Sequence, residues 1–156
     1  WFRKAAEAGK NANLRIRWGA GIEEQGYDWE NYLKSIRPET SHLPPRFKTF
    51  DFHDPATGVA ESAKTLDTST PYKQAHPEAV FRSLRGNIDA AVDFPGWTLE
   101  RRFVSPDMIE ARQLQVAVPP ETTQEQWQQI NRAIVYGRAQ NPAVEVVVTI
   151  IERAGK

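Results

Sequence analysis

The stretch that most limits what this chain can fold into is residues 47–66, Phe47-Lys-Thr-Phe-Asp-Phe-His-Asp-Pro-Ala-Thr-Gly-Val-Ala-Glu-Ser-Ala-Lys-Thr-Leu66. An aromatic run alternates through Phe50 and Phe52 and stops at Asp54-Pro55-Ala56-Thr57-Gly58, a stretch dominated by turn formers. A small-residue run then continues to Leu66, and the pattern predicts a β-hairpin. Strand side chains alternate faces, so Thr49, Asp51 and His53 are expected on one face of the first strand. On the second, Ala60, Ser62, Lys64 and Leu66 share a face, with Glu61, Ala63 and Thr65 opposite. Such a hairpin sets a carboxylate beside a hydroxyl and an ammonium. The combination suits metal-assisted phosphodiester chemistry, with an acid to hold a cation and a lysine to orient water. A plain cross-strand ion pair satisfies the same pattern.

The rest of the chain narrows the choice. A length of 156 residues with 40% apolar content suits one folded domain, and no apolar run approaches membrane-spanning length. The start at Trp1, without an initiator Met or a signal-like leader, predicts a piece of a longer polypeptide. With no cysteine, disulfides, thiolate zinc sites and cysteine nucleophiles are excluded. Twenty basic residues balance twenty acidic ones, so any contact with nucleic acid has to come from a local patch. One basic stretch, residues 1–20, carries Arg3, Lys4, Lys10, Arg15 and Arg17 against Glu7. It reads as an N-terminal segment that either lies on phosphates or is a solvated end, with 21–156 as the domain proper.

Residues 22–36 have helical periodicity, with Ile22, Trp29, Leu33 and Ile36 on or near one stripe and Gly26 as a kink or packing point. Glu30 adjoins that stripe, which makes it a candidate metal ligand. After the hairpin comes a loop at 67–71, then a helix opened by His76-Pro77 with Phe81, Leu84, Ile88, Ala91 and Val92 at helical spacing. Two strands are expected at 97–104 and 108–118, turned through Ser105-Pro-Asp107. A capping box at Thr122-Thr-Gln-Glu125 starts a last helix whose inner side carries Trp127, Ile130, Ala133, Ile134 and Gly137. The near-continuous apolar run 144–151 predicts a strand at or near the centre of the sheet. The whole is an α/β domain, a mixed central sheet flanked by helices with an added β-hairpin. That order matches the restriction-endonuclease core.

Several phrases resemble one family closely: Trp29-Glu-Asn-Tyr-Leu33, Leu43-Pro-Pro-Arg-Phe-Lys-Thr-Phe-Asp51, Thr57-Gly-Val-Ala-Glu-Ser-Ala-Lys-Thr-Leu-Asp67, Gly86-Asn-Ile-Asp89, Leu114-Gln-Val-Ala-Val-Pro119 and Ile130-Asn-Arg-Ala133. The chain resembles the C-terminal toxin domains of contact-dependent growth inhibition (CdiA) proteins, in their restriction-endonuclease-like, PD-(D/E)XK branch. The likeness runs from about residue 25 to the C-terminus and leaves residues 1–20 outside it.

The resemblance implies a DNase toxin that reaches neighbouring bacteria as part of a cell-surface protein, acts in the target-cell cytoplasm, and is neutralised by a cognate immunity protein. It implies that Glu30 and Asp51 bind a divalent metal, that Ser62 stands where most relatives of the fold carry a second carboxylate, and that Lys64 is the motif lysine. Glu61 lies on the wrong face to be that second acid unless a bulge intervenes. Zinc is the metal implied by the family, whereas an all-oxygen donor set favours magnesium or manganese, and His53 is the added ligand that zinc could use. His53 is otherwise a general-base candidate or a structural residue of an edge strand. Two other readings share these residues: a tRNase on the same fold, and a binding module without catalysis. The segment 97–111, with Arg101 and Arg102, is expected to be where the immunity protein docks along strand edges.

Overall fold

The computed structural model describes residues 14–155. Helix α1 (Ile22–Ser35) precedes β1 (Phe52–His53) and β2 (Val59–Thr65). Helices α2 (Pro71–Ala75) and α3 (Glu78–Val92) follow, then the short strands β3 (Trp97–Leu99) and β4 (Arg102–Val104). The chain closes with β5 (Ala111–Val118), α4 (Gln124–Arg138) and β6 (Val144–Ile150). Four strands make one mixed sheet in the order β1-β2-β5-β6, antiparallel at β1–β2 and parallel elsewhere, with β3 and β4 paired apart from it. The expected α/β sheet with an added hairpin is therefore present. Among the described residues, no helix is long and apolar enough to cross a membrane.

Each sheet face carries its own core. On one face Ala60, Leu114, Val116, Val118 and the alternate valines Val144, Val146 and Val148 meet Leu84 and Ile88 of α3 and Ile130, Ala133 and Ile134 of α4. On the other, Phe52, Ala117 and Ile151 meet Trp29 and Leu33 of α1, together with Ile16 and Trp18. Full burial of one such aliphatic side chain is worth about 1.5–3 kcal/mol, so two faces of this size hold the sheet between its helices. Trp127 lies at the edge of the first core and is only partly buried.

Several expectations change once the packing is visible. In α1 only Gln25, Trp29 and Leu33 are buried, whereas Ile22 and Ile36 are 86% and 52% exposed, because the helix touches the sheet through its middle turns alone. Gly26 has open space around it and is no packing point. The cap of α4 sits one residue later than expected: the Thr123 hydroxyl accepts from the Gln126 backbone, and Gln126 Oε1 accepts from Thr123 N. The loop at 67–71 leads directly into a further helical turn, α2. Strand β6 lies at the sheet edge, and β5 is the interior strand that it pairs with. The apolar run of β6 reflects what covers its faces, which says nothing about how many strands flank it in the plane.

The segment 97–104 does not form one strand either. It folds back at Glu100 and Arg101, whose φ angles of 48° and 68° are left-handed, giving a tight hairpin of β3 on β4. Of the basic stretch 1–20, residues 1–13 lie outside the described residues. Its remainder packs into the domain: Ile16 is fully buried and bridges Arg153, and Trp18 Nε1 donates to the Ile151 carbonyl.

Candidate functional site

The predicted hairpin forms, with Phe52 opposite Glu61 and His53 opposite Ala60. Its turn depends on Gly58, where φ is +75° and an added Cβ would meet Glu110 Cγ at 2.6 Å. The first strand is much shorter than the sequence pattern implies. Thr49 has a left-handed φ of 69°, Phe50 N donates back to the Lys48 carbonyl, and the chain bends at Asp51. Thr49, Asp51 and His53 thus do not share a strand face, and Phe50 and Phe52 enter opposite cores.

That bend puts Asp51 to use. Its backbone N–H still bonds the Glu61 carbonyl at 2.9 Å, but the ladder ends there. The next donor along β2, Ala63 N–H, is taken at 2.7 Å by Asp51 Oδ2 in place of a strand carbonyl. Asp51 is therefore fixed against the middle of β2, where Ser62 is buried and Lys64 half-buried. Glu30 reaches this region from α1, paired with Lys34 at 3.4 Å. The Asp51 carboxyl is pushed up to about 6, first by burial. The Ala63 N–H opposes that rise, the Glu30 charge adds to it, and the Lys64 and Lys34 ammoniums lower it. Glu30 and Lys64 thus lie close enough for their charges to act on Asp51, and Ser62 sits beside Ala63 on the strand that Asp51 grips. Lys34 joins them unpredicted, although its i, i+4 spacing from Glu30 is readable in the sequence.

Glu61 and His53 have other work. Glu61 is buried and receives Arg37 Nε at 2.7 Å and Arg37 Nη2 at 2.9 Å, while Gln115 Nε2 donates to the same carboxylate at 2.9 Å. No bulge interrupts the β1–β2 register around it. His53 is 2% exposed, and its Nε2 lies 2.9 Å from the Met108 carbonyl, to which it donates. It stands as a structural histidine tying β1 to the turn before β5.

Ser62, in register with Leu114, lies on the sheet face that α3 and α4 cover. The two carboxylates form a hard-oxygen donor pair, and the raised proton affinity of Asp51 reflects burial together with the Glu30 charge. A divalent cation relieves both, so the residues fit one held by Glu30 and Asp51 with water or substrate oxygens completing its shell. Among the described residues no group of three or more His, Cys, Asp or Glu is placed to hold a metal ion.

Residues 25–149 match the family described as the CDI toxin restriction endonuclease-like domain. The chain is 43% identical over 151 residues to "Deoxyribonuclease CdiA-o11" of Escherichia coli O157:H7 (strain EC869), a match spanning 96% of this chain and 40% of that protein. It is 42% identical over 141 residues to "Deoxyribonuclease CdiA" of Yersinia pseudotuberculosis serotype O:3 (strain YPIII), spanning 90% of this chain and 13% of that protein. The chain thus covers well under half the length of these relatives. It is also similar to a chain of the CdiA-CT/CdiI toxin and immunity complex from Yersinia pseudotuberculosis, with a TM-score of 0.71 and 44% identity over 79% of this chain and 98% of that one.

Proposed function

This chain belongs to the CDI toxin restriction endonuclease-like domain family, and we propose that it is a metal-dependent endonuclease toxin that hydrolyses DNA in target bacteria. The observation that supports the reading is the buried Asp51 carboxylate fixed on the Ala63 N–H of β2 at 2.7 Å, next in sequence to Lys64 and within reach of the charges of Glu30 and Lys64. DNA is preferred over tRNA because both curated relatives are named deoxyribonucleases.

When bound, a divalent cation supplies concentrated positive charge beside the phosphate and acidifies a neighbouring water. Glu30 and Asp51 are the residues to hold it, one from a helix and one from the strand bend. The Lys64 ammonium orients the attacking water and offsets negative charge as phosphorus is attacked. The Ser62 hydroxyl positions solvent without adding charge, so the site has one carboxylate fewer than the usual version of the fold. That set suits magnesium or manganese, with zinc implied by resemblance alone. The test is cleavage of plasmid DNA and of total RNA across magnesium, manganese and zinc, with chelator as blank. Plasmid cleavage restored by metal is the expected result. RNA cleavage with intact plasmid would move the assignment to the tRNase reading, and calorimetry without metal binding would favour a non-catalytic module.

The proposal includes a dedicated immunity protein, since a nuclease active on any chromosome kills its producer, and the Yersinia structure is a toxin–immunity complex. For its docking surface we favour the β3–β4 hairpin, which stands outside the main sheet and exposes Trp97 and Phe103 at 41% and 57%. Free strand edges beside exposed aromatics invite an added strand. Arg101 is exposed for charge recognition. Arg102 instead turns inward, donating to the carbonyls of Thr40, His42 and His53, and so anchors the hairpin. Hydrogen–deuterium exchange with and without the neighbouring gene product should show protection across 97–111. Protection restricted to other surfaces would sink this docking mode and leave the nuclease assignment intact.

A further inference from the structure

Beside Lys64 opens a cleft of about 560 Å³, whose lining includes Asp67 and Lys73 together with Ser83 and Asn87 of α3. We propose that Lys73 is a substrate-positioning residue that grips the backbone phosphate next to the scissile one, an inference that rests on the nuclease reading above. Lys64 lines the same cleft, so a strand whose reacting phosphate lies at Lys64 runs its neighbouring nucleotide into this space. Among the described residues Lys73 has no carboxylate partner in any ion pair. Asp67 shares the cleft, but its Oδ1 already accepts from the backbone N–H and the hydroxyl of Ser69.

The backbone carrying Lys73 is also fixed in advance. Gln126 is fully buried in α4, and its Nε2 donates to the carbonyls of Thr68 and Lys73 at 2.8 and 3.2 Å. The Thr68 hydroxyl bonds that of Thr122 at 2.7 Å. A buried amide whose Nε2 bonds both carbonyls of this segment, while its Oε1 is held by the α4 cap, fixes the lysine's backbone before any ligand arrives, which lowers the ordering cost of binding. Ser83 and Asn87 add neutral polar groups to the lining. Ile22, 86% exposed, gives the cleft an apolar surface for a sugar or base.

Removing a single lysine–phosphate interaction should reduce the slope of log affinity against log salt by about one. The experiment measures binding of a labelled mixed-sequence DNA duplex to the metal-free domain between about 50 and 200 mM salt, for wild type, Lys73→Gln and Lys73→Arg. Lys73→Gln should bind more weakly, and the wild-type advantage should shrink about threefold across that range, with Lys73→Arg close to wild type. With metal, Lys73→Gln should raise KM and leave kcat and Tm near wild type. An unchanged salt slope, or a fall in Tm that accounts for the weaker binding, overturns the proposal while the nuclease reading stands. Wild-type protein that shows the lysine-dependent slope but cuts no nucleic acid overturns the nuclease reading and leaves the phosphate grip in place.

Discussion

Replacing Asp51 by Ala should remove DNA cleavage, a loss on the order of 10³-fold or more, because a cation ligand contributes several kcal/mol of transition-state stabilisation. Asp51→Asn separates chemistry from folding. The carboxyl sits at about 6 in the folded domain, above its ordinary value of 3.8. Well below 3.8, at about pH 2.5, it is protonated whether the chain is folded or not, so the asparagine variant and wild type should be equally stable there. As pH rises towards and through about 6, the folded chain must carry a buried charge next to Glu30, and wild type loses the stability it held in acid. Without metal, Asp51→Asn should therefore be the more stable protein at about pH 7.5, by on the order of 2–3 kcal/mol. Divalent cation should raise the Tm of wild type and leave the variant unmoved. Denaturant unfolding at acid and at mildly alkaline pH, with and without metal, reads all of this. Asp51→Asn less stable than wild type on the alkaline side would make the carboxylate a structural partner instead of a ligand.

The candidate residues follow from local rules that the sequence displays, whereas the order of strands in the sheet does not. The Ser62–Lys64 pairing depends only on period-two alternation within β2, which the unbroken β2–β5 register preserves. Asp51 is legible for a partly wrong reason: alternation assigns it to a continuing strand, whereas the chain bends there and its carboxylate replaces a strand carbonyl. The central position expected for residues 144–151 fails because apolar content reports burial of faces and not in-plane neighbours. Exposed Ile22 misleads for a similar reason, since helical periodicity cannot tell how far along a helix its contact with the sheet extends. The Arg37–Glu61–Gln115 cluster and the Gln126 anchor draw on residues 24 to 58 positions apart. No local pattern signals such pairs.

The cluster around Glu61 should prove structural, with the larger stability effect of the two hairpin carboxylates. Arg37→Ala leaves Glu61, whose side chain is 9% exposed, with the Gln115 amide as its remaining side-chain donor. Breaking a buried pair on one side costs about 3–5 kcal/mol, since the surviving charge is desolvated without compensation. Glu61→Gln should also destabilise, by about 2 kcal/mol, because the amide cannot accept the arginine fork on both atoms. Both variants should cut DNA at near wild-type rates at a temperature where they are folded. Ser62→Ala should show the reverse pattern, a reduced rate with stability close to wild type. The double variant Arg37→Met with Glu61→Leu sharpens the distinction. A buried ion pair replaced by apolar groups of similar size is often neutral or stabilising, so that protein should recover its Tm and keep its activity. Cleavage at saturating metal, together with thermal unfolding, decides the matter. A folded Arg37→Met, Glu61→Leu protein without activity, beside a fully active Ser62→Ala, would make Glu61 the second catalytic acid and require its side of the sheet to hold the reacting phosphate.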